Sequence, residues 1–550
     1  MFHVEQKIKF IMQISGILVD VFKRKIISSS ISISRGRIKK IKQIRGGQKN
    51  FILPGFIDSH IHIESSMLTP GSFARAIVPH GTIGVVSDPH EIANVLGING
   101  VNFMIRDSKK VPTKFWFGAP SCVPATNFET SGGKIGIADT EKLLQKDEIK
   151  YLSEMMNYPG VINQDPEVMQ KIKTAQKAGK KIDGHAPGLS GEGLRKYVES
   201  GISTDHECST IEEAREKISL GMKILIREGS SARNLEALKY LFKTNPEEVM
   251  LCSDDLHPEM LQKRHINKLV ANLINEGYDI YDVIRSATVN PVMHYGLEAG
   301  LLRKGDPADF IIVDSLEEMN VIETWINGKK IYERGKVLFD YKKPRTLNYF
   351  NCSPLSAQDI MVKNNNTGIR IIRAYDGELL TKGEIEKPGK GNTIEASVEK
   401  DILKIIVKDR YKDSNPAIGF IRGFGLKAGA FASSVAHDSH NIIAIGTNDK
   451  DIISAVNEVI KFKGGMAVAA GKDVDTMALD IAGIMTTESC KEVASKYELL
   501  SEKVRRLGCS MSAPFMTLSF MALLVIPELK LSDKGLFDGK KFCHVPLYTG

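Results

Sequence analysis

The sequence predicts an α/β protein: a TIM-type (β/α)8 barrel with a small β-sandwich domain built from both of its flanks, plus a C-terminal α/β domain. Three observations support this prediction. The chain has 550 residues, whereas a single hydrophobic core rarely extends beyond about 250–300 residues. Eight short apolar runs follow one another in the first half of the chain, with helical stretches separating many of them. Strand-rich segments with turn residues lie on both sides of that region.

The flanking segments come first in the chain. Residues 8–50 alternate apolar and polar side chains between turn residues, as in Ile31-Ser32-Ile33-Ser34, which indicates short strands. The same pattern returns after the barrel at residues 305–313 and 321–328. The predicted domains are residues 1–52 with 300–345 for the small β domain, 53–299 for the barrel and 360–550 for the C-terminal domain.

The barrel is predicted from strand–helix alternation, which implies a parallel sheet joined by crossover helices. Eight such units imply a closed barrel. The eight predicted strands are residues 55–58, 82–87, 115–118, 160–162, 181–184, 201–204, 222–226 and 249–252. In barrels of this kind the active-site groups lie at the C-terminal ends of the strands, so the residues that follow these runs are the candidates for chemistry.

Four histidines and two acids occupy such positions. His60 and His62 are two residues apart, so on an extended chain both side chains point the same way and can share one metal ion. The complete set of candidate metal ligands is His60, His62, Glu91, His185, His206 and Asp254. Six ligands are too many for one Zn²⁺ and fit two divalent ions, with Glu91 predicted as the bridge.

Charge, hydropathy and cysteine usage argue against several other classes of protein. The 74 Lys and Arg residues exceed the 66 Asp and Glu residues by only 8 and are scattered, so no nucleic acid is expected as a partner. The apolar run at 515–526 is too short to span a bilayer, so no membrane is expected either. Seven scattered cysteines and the absence of a signal-peptide pattern predict a reducing compartment, the cytoplasm.

Longer motifs resemble one family. Residues 53–62, Leu-Pro-Gly-Phe-Ile-Asp-Ser-His-Ile-His, resemble the opening of the amidohydrolase superfamily. The segments that are similar, more narrowly, to bacterial adenine deaminases include 87–97, 183–187, 227–230, 253–258, 437–441 and 514–520. The resemblance extends over nearly the whole chain, although residues 478–481 depart from the Leu-Pro-rich stretch that the family pattern leads us to expect.

The resemblance implies an activity and a set of cofactors. It implies that adenine is hydrolysed to hypoxanthine and ammonia by a metal-activated hydroxide, in purine salvage. It further implies two divalent ions, Mn²⁺ or else Fe²⁺, in the site. Adenine is then the small-molecule partner, and a homo-oligomer, with a dimer favoured, is expected.

Deamination requires proton transfers, for which the acids at the strand ends are candidates. Asp254 can take a proton from the attacking hydroxide and pass it to the leaving amine, unless its neighbour Asp255 holds that role. Glu207 or Glu228 can protonate the purine ring, or else each serves as a supporting or helix-capping carboxylate. The residues that either hold substrate or orient the metal ligands are His90, Asp255 and His257.

Three alternatives remain open from the sequence. A sister amidohydrolase that opens a cyclic amide or removes an acetyl group would use the same metal frame, but many of these carry a carboxylated lysine, and no convincing lysine follows a strand here. A barrel that had become an interaction protein would lack the ligands. Residues 360–550 are either a second enzyme, with a metal at His437, Asp438 and His440, or the wall of the active site or a subunit contact.

Overall fold

The computed structural model describes residues 11–230 and 233–549, and the predicted strand residues 8–10 lie outside that range. Three β-structures dominate it: a parallel barrel, a flanking sheet of eight strands and a mixed sheet of nine strands in the C-terminal part.

The flanking sheet takes strands from both ends of the barrel segment. In sheet order its strands are Lys336–Val337, Lys329–Glu333, Val321–Ile326, Phe310–Val313, Phe51–Pro54, Met12–Asp20, Lys25–Ser34 and Arg37–Gln43. The two flanks join where Leu53 pairs with Ile311 in an antiparallel ladder. Because all eight strands are hydrogen-bonded neighbours, this domain is one continuous sheet around its own apolar cluster, which includes the stacked rings of Phe310 and Trp325.

Eight parallel strands form the barrel. They are Phe56–Ile61, Thr82–Ser87, Lys114–Ala119, Ile149–Met155, Lys181–Gly184, Thr204–Asp205, Lys223–Arg227 and Val249–Cys252. The ring closes where the Asp254 N–H donates to the His60 carbonyl at 2.9 Å and where the Ser203 N–H donates to the Ile182 carbonyl at 2.9 Å. Closure brings the C-terminal ends of all eight strands to one rim, as the sequence predicts.

The fourth predicted strand was wrong, and the error affects the site. Residues 160–162 lie in a short helix, Tyr158–Ile162, and the true strand is Ile149–Met155. Every residue of this strand except Lys150 is buried, but Lys150 and Glu154 interrupt its apolar run, so the sequence pattern is weak. Glu154 therefore lies near the end of a strand that the sequence pattern does not predict.

Helices surround the barrel between its strands. They are Pro70–Ile77, His90–Leu96, Ile98–Ser108, Ile137–Leu144, Tyr158–Ile162, Pro166–Lys177, Gly191–Glu199, Ile211–Ser219, Leu235–Leu238, Leu241–Thr244, Pro258–Leu261, Ile266–Asn275, Ile280–Ser286 and Val289–Tyr295, with 3-10 turns at Ile63–Ser66, Val78–His80 and Pro246–Glu248. The helix Pro166–Lys177 shows why they form. Asp165 caps its N-terminus, and Val168, Ile172 and Ala175 recur at helical spacing on its buried face.

The C-terminal part has its own sheet but shares a core with the barrel. Its strands are Gly368–Arg373, Lys382–Glu386, Leu403–Lys408, Ala417–Arg422, Ala430–Ser433, Ile442–Gly446, Gly465–Ala470, Asp473–Ala478 and Tyr548–Thr549, with a smaller sheet of Leu529–Ser532, Gly535–Asp538 and Cys543–His544 and helices Asp449–Lys461, Cys490–Arg506 and Pro514–Phe520. One apolar cluster runs from Ile61 and Val85 in the barrel to Leu403 and Ile443 in this sheet. The predicted separate domain is therefore packed directly onto the barrel rim. No helix within residues 11–230 and 233–549 is long and apolar enough to cross a membrane.

Candidate active site

A pocket lies where the barrel rim meets the C-terminal domain. Its polar side is formed by histidines and acids from the strand ends. Its apolar wall consists of Met156, Leu379, Phe520, Leu523, Val525 and Ile526, five of which come from the C-terminal domain. The C-terminal domain therefore completes the pocket.

His60, His62 and Asp254 form the first donor group. The two Nε2 atoms are 3.2 Å apart, and Asp254 Oδ1 lies 3.5 Å from His60 Nε2 and 3.2 Å from His62 Nε2. The hydrogen bond that closes the barrel holds Asp254 beside His60. Ligand atoms held tetrahedrally at about 2.1 Å from one ion are about 3.4 Å apart, so these three distances fit a common centre.

The orientation of His62 supports the same interpretation. Its Nδ1–H donates to the Asp88 carbonyl at 3.1 Å, which leaves the lone pair of Nε2 directed at the donor group. Metal-ligating histidines are typically fixed in this way by a hydrogen bond on the other ring nitrogen.

His185 and His206 form the second donor group at the ends of the fifth and sixth strands. His185 Nδ1 and His206 Nε2 are 3.2 Å apart. Facing ring nitrogens at this distance cannot both donate, so at least one lone pair is directed into the space that they share. That space is suited to a cation.

Glu154 joins the two groups. Its Oε2 lies 2.9 Å from His185 Nδ1 and 3.1 Å from His206 Nε2, while its Oε1 lies 3.6 Å from His62 Nε2. Burial acts to raise the pKa of Glu154, but His185 and His206 outweigh it and hold that pKa well below its usual range. A buried, ionised carboxylate with one oxygen directed at each group has the placement of a bridging ligand. The residues present thus fit two divalent ions.

Glu91, the bridge predicted from sequence, is not placed between the groups. It lies in the first turn of the helix His90–Leu96, and its carboxylate accepts hydrogen bonds from His437 Nδ1 at 2.6 Å and from His440 Nε2. Burial favours a raised pKa for Glu91, but His437, His440 and His90 hold it well below its usual range. The two C-terminal histidines thus join the C-terminal domain to Glu91, and one of them, His437, also lines the pocket.

Arg227 is a site residue whose role sequence reasoning missed. Its Nη1 donates to Glu207 Oε1 at 2.5 Å and to Asp254 Oδ2 at 2.7 Å, and its Nη2 donates to Glu207 Oε2 at 3.0 Å. Burial acts to raise the pKa of Glu207, but Arg227 and His185 hold it well below its usual range. One guanidinium thus orients two carboxylates of the site.

The structure brings some of the remaining candidates to the site and leaves others outside. His90 and Asp255 line the pocket, and Asp255 Oδ1 accepts a hydrogen bond from Ser65 Oγ at 2.5 Å. Among the described residues that line the pocket, neither Glu228 nor His257 occurs.

Strand geometry explains the position of Glu228. Side chains alternate along a strand, so Glu228 faces away from Arg227 and its carboxylate lies 3.6 Å from Arg264 Nη1. His257 Nδ1 lies 3.0 Å from the hydroxyl of Tyr497, behind the site. The structure thus places both side chains outside the lining of this pocket.

The barrel and the C-terminal domain, which together line this pocket, each match a known protein family. Residues 51–331 match the amidohydrolase family, and residues 378–543 match the adenine deaminase C-terminal domain. An adenine deaminase of Methanosarcina mazei is 53% identical over 97% of this chain and 99% of its own length. Those of Parabacteroides distasonis and Borreliella burgdorferi are 48% and 47% identical, over 98% and 96% of this chain and 98% of each relative. The chain therefore belongs to the adenine deaminase family of the amidohydrolases.

Proposed function

We propose that this protein hydrolyses adenine to hypoxanthine and ammonia. The observation that carries the proposal is the pair of donor groups joined by Glu154, which faces a pocket with an apolar wall. Such a pocket offers a flat heteroaromatic ring a surface to pack on while polar groups act at one edge. The curated relatives are named for deamination of adenine, which fits this arrangement.

Two divalent ions are proposed as cofactors, with Mn²⁺ preferred and Fe²⁺ as the alternative. His60, His62 and Asp254 would hold one ion, His185 and His206 the other, and Glu154 both. Ions held there would lower the pKa of water and supply a nucleophile near neutral pH. The mixed imidazole and carboxylate set suits these metals better than a thiolate-selective ion.

Asp254 is proposed to move the protons. Its Oδ2 is held by Arg227, while its Oδ1 lies beside His60 and His62, where a proton from the attacking water must be removed. The amino group of adenine leaves poorly as an anion, so the same carboxyl must return a proton to it. Glu207, bound through both oxygens to Arg227, is proposed to fix the arginine and thereby Asp254.

One assay tests the function. Protein loaded with Mn²⁺ and freed of excess metal should convert adenine to equal amounts of hypoxanthine and ammonia, and His60→Ala should lose both metal and activity. Adenine should be preferred over adenosine in kcat/KM. A higher kcat/KM for adenosine, or turnover only of cyclic amides or acetylated sugars, would reject the proposal.

The cellular context is proposed as a homodimer in the cytoplasm that acts in purine salvage, with adenine as its partner. All seven cysteines are free thiols, which is compatible with a reducing compartment. Light scattering on the metal-loaded protein would measure the oligomeric state, and a mass of one or four chains would reject the dimer.

A further inference from the structure

Asp438 is a buried acid of the pocket that the proposed reaction does not use. It lies between His437 and Ser439 in the C-terminal domain and lines the pocket with 5% of its surface exposed. Its Oδ2 is buried and accepts no hydrogen bond from the residues that the structure describes. Buried carboxylate oxygens are nearly always hydrogen-bonded, so this oxygen has the environment of an acceptor that awaits a donor.

The other acids of the pocket are already engaged. Each accepts from a named side chain: Glu91 from His437, Glu154 from His185, Glu207 and Asp254 from Arg227, and Asp255 from Ser65. Asp438 is therefore distinguished from these neighbours, because no described residue donates a hydrogen bond to its carboxylate.

The chemistry of adenine limits what that ligand group can be. The amino group and C6 must face the donor groups around Glu154, where the reaction takes place. The pyrimidine nitrogens and one imidazole nitrogen carry lone pairs and cannot donate to a carboxylate. The remaining donor of the free base is the single N–H of its imidazole ring.

We propose that Asp438 accepts a hydrogen bond from the imidazole N–H of adenine and so selects the free base over nucleosides, an inference that rests on the proposed function. A nucleoside carries its sugar on that ring and has no such N–H. It would leave the Asp438 oxygen buried without a partner, which strongly disfavours binding. The apolar side chains Phe520, Leu523 and Ile526 in the same pocket offer no hydrogen bonds to the sugar hydroxyls.

The test compares two substrates of nearly equal shape: adenine, and the isostere in which sulfur replaces the N9–H group. Wild-type protein should prefer adenine in kcat/KM. Asp438→Leu removes the acceptor at similar volume and should lower kcat/KM for adenine by about 10- to 100-fold, as expected for a hydrogen bond to a charged group. The same substitution should change kcat/KM for the isostere much less. The ratio of kcat/KM for adenine to kcat/KM for the isostere should therefore fall towards one.

The matched control is Glu129→Gln. Glu129 is another buried acid close to Asp438, but it does not occur among the pocket-lining residues within the described chain. This variant should keep the wild-type substrate preference. Metal content is measured in every variant, so that a lost ion is not mistaken for a lost hydrogen bond. If Asp438→Leu does not fold, Asp438→Ser, which has a shorter side chain without a carboxylate, carries the same expectation.

The outcomes separate the inference from the function on which it rests. Equal losses for both substrates in Asp438→Leu would mean that the residue has only a structural role, and would overturn the inference while leaving adenine deamination intact. Wild-type protein that fails to deaminate adenine at all would instead overturn the proposed function.

Discussion

The proposed bridging position provides the most direct test of the site, because the sequence predicts Glu91 there whereas Glu154 lies between the two donor groups in the structure. Glu154→Gln preserves the shape of the side chain but removes the charge that lies between the two donor groups. Loss of a partner that merely orients a ligand typically costs about 10- to 100-fold in metal affinity. Glu154 directs one oxygen at His62 and the other at His185 and His206. Its substitution should therefore weaken the affinity for at least one ion by more than about 100-fold.

Metal analysis after loading with Mn²⁺ and desalting measures this effect. Wild-type protein should retain two ions per chain and Glu154→Gln one or fewer, with loss of adenine turnover. Glu91→Gln is the matched control. The Glu91 carboxylate binds His437 and His440, so this substitution should leave the metal content unchanged. If Glu154→Gln kept two ions with affinities within tenfold of the wild type, or if Glu91→Gln lost them, the assignment of the bridge would be refuted.

Three further predictions follow from the site and its supports. Asp254→Asn should lower kcat by at least about 100-fold with a much smaller change in KM, whereas Asp255→Asn should not lower kcat to this extent. An Asp254→Asn protein that binds its full metal content and retains more than about a tenth of wild-type kcat would contradict the proton-transfer role. Lys530 is fully buried with its Nζ bound to the carbonyls of Leu379 and Phe520, and burial lowers its pKa to about 7. Between pH 7 and 10 the unfolded chain holds a proton that the folded chain has released, so the unfolding free energy of the wild type, relative to Lys530→Met, should rise by roughly 1 kcal/mol per pH unit. Urea unfolding of both proteins at pH 7, 8 and 9 measures this, and parallel pH profiles would exclude it. Residues 360–550 expressed alone should show no deaminase activity, since both donor groups lie in the barrel, and any turnover by this fragment would disprove a single site.

Much of the barrel and most of the donor set could be predicted from the sequence, because the relevant residues follow apolar runs directly. His60 and His62 share one strand end, and their spacing alone places both side chains on one side. The fourth strand could not be found in this way, because Lys150 and Glu154 interrupt it. Tertiary burial stabilises that strand where its local pattern is weak, and Glu154, the acid between the two donor groups, was missed with it.

Contacts between distant segments were also beyond sequence reasoning. Glu91 and His437 are 346 positions apart, and nothing in either local pattern indicates that they meet. Arg227 is a different case. Side chains alternate at the end of its strand, so placing Ile226 and Glu228 on one side would have put the arginine on the other, facing the pocket.

The hydrogen bonds from His437 and His440 to Glu91 join the C-terminal domain to the barrel, which has a consequence for biosynthesis. A ribosome completes the last barrel helix, Val289–Tyr295, about 140 residues before it reaches these two histidines. Until synthesis has also passed Thr486, the barrel lacks the segment whose backbone pairs with Met67 and Thr69, and the apolar side chains of Met67 and Leu68 lack the C-terminal part of their shared core. A messenger RNA truncated between the barrel and the C-terminal domain would therefore yield an inactive barrel with an exposed apolar surface. Chaperones and proteases would have to remove this product.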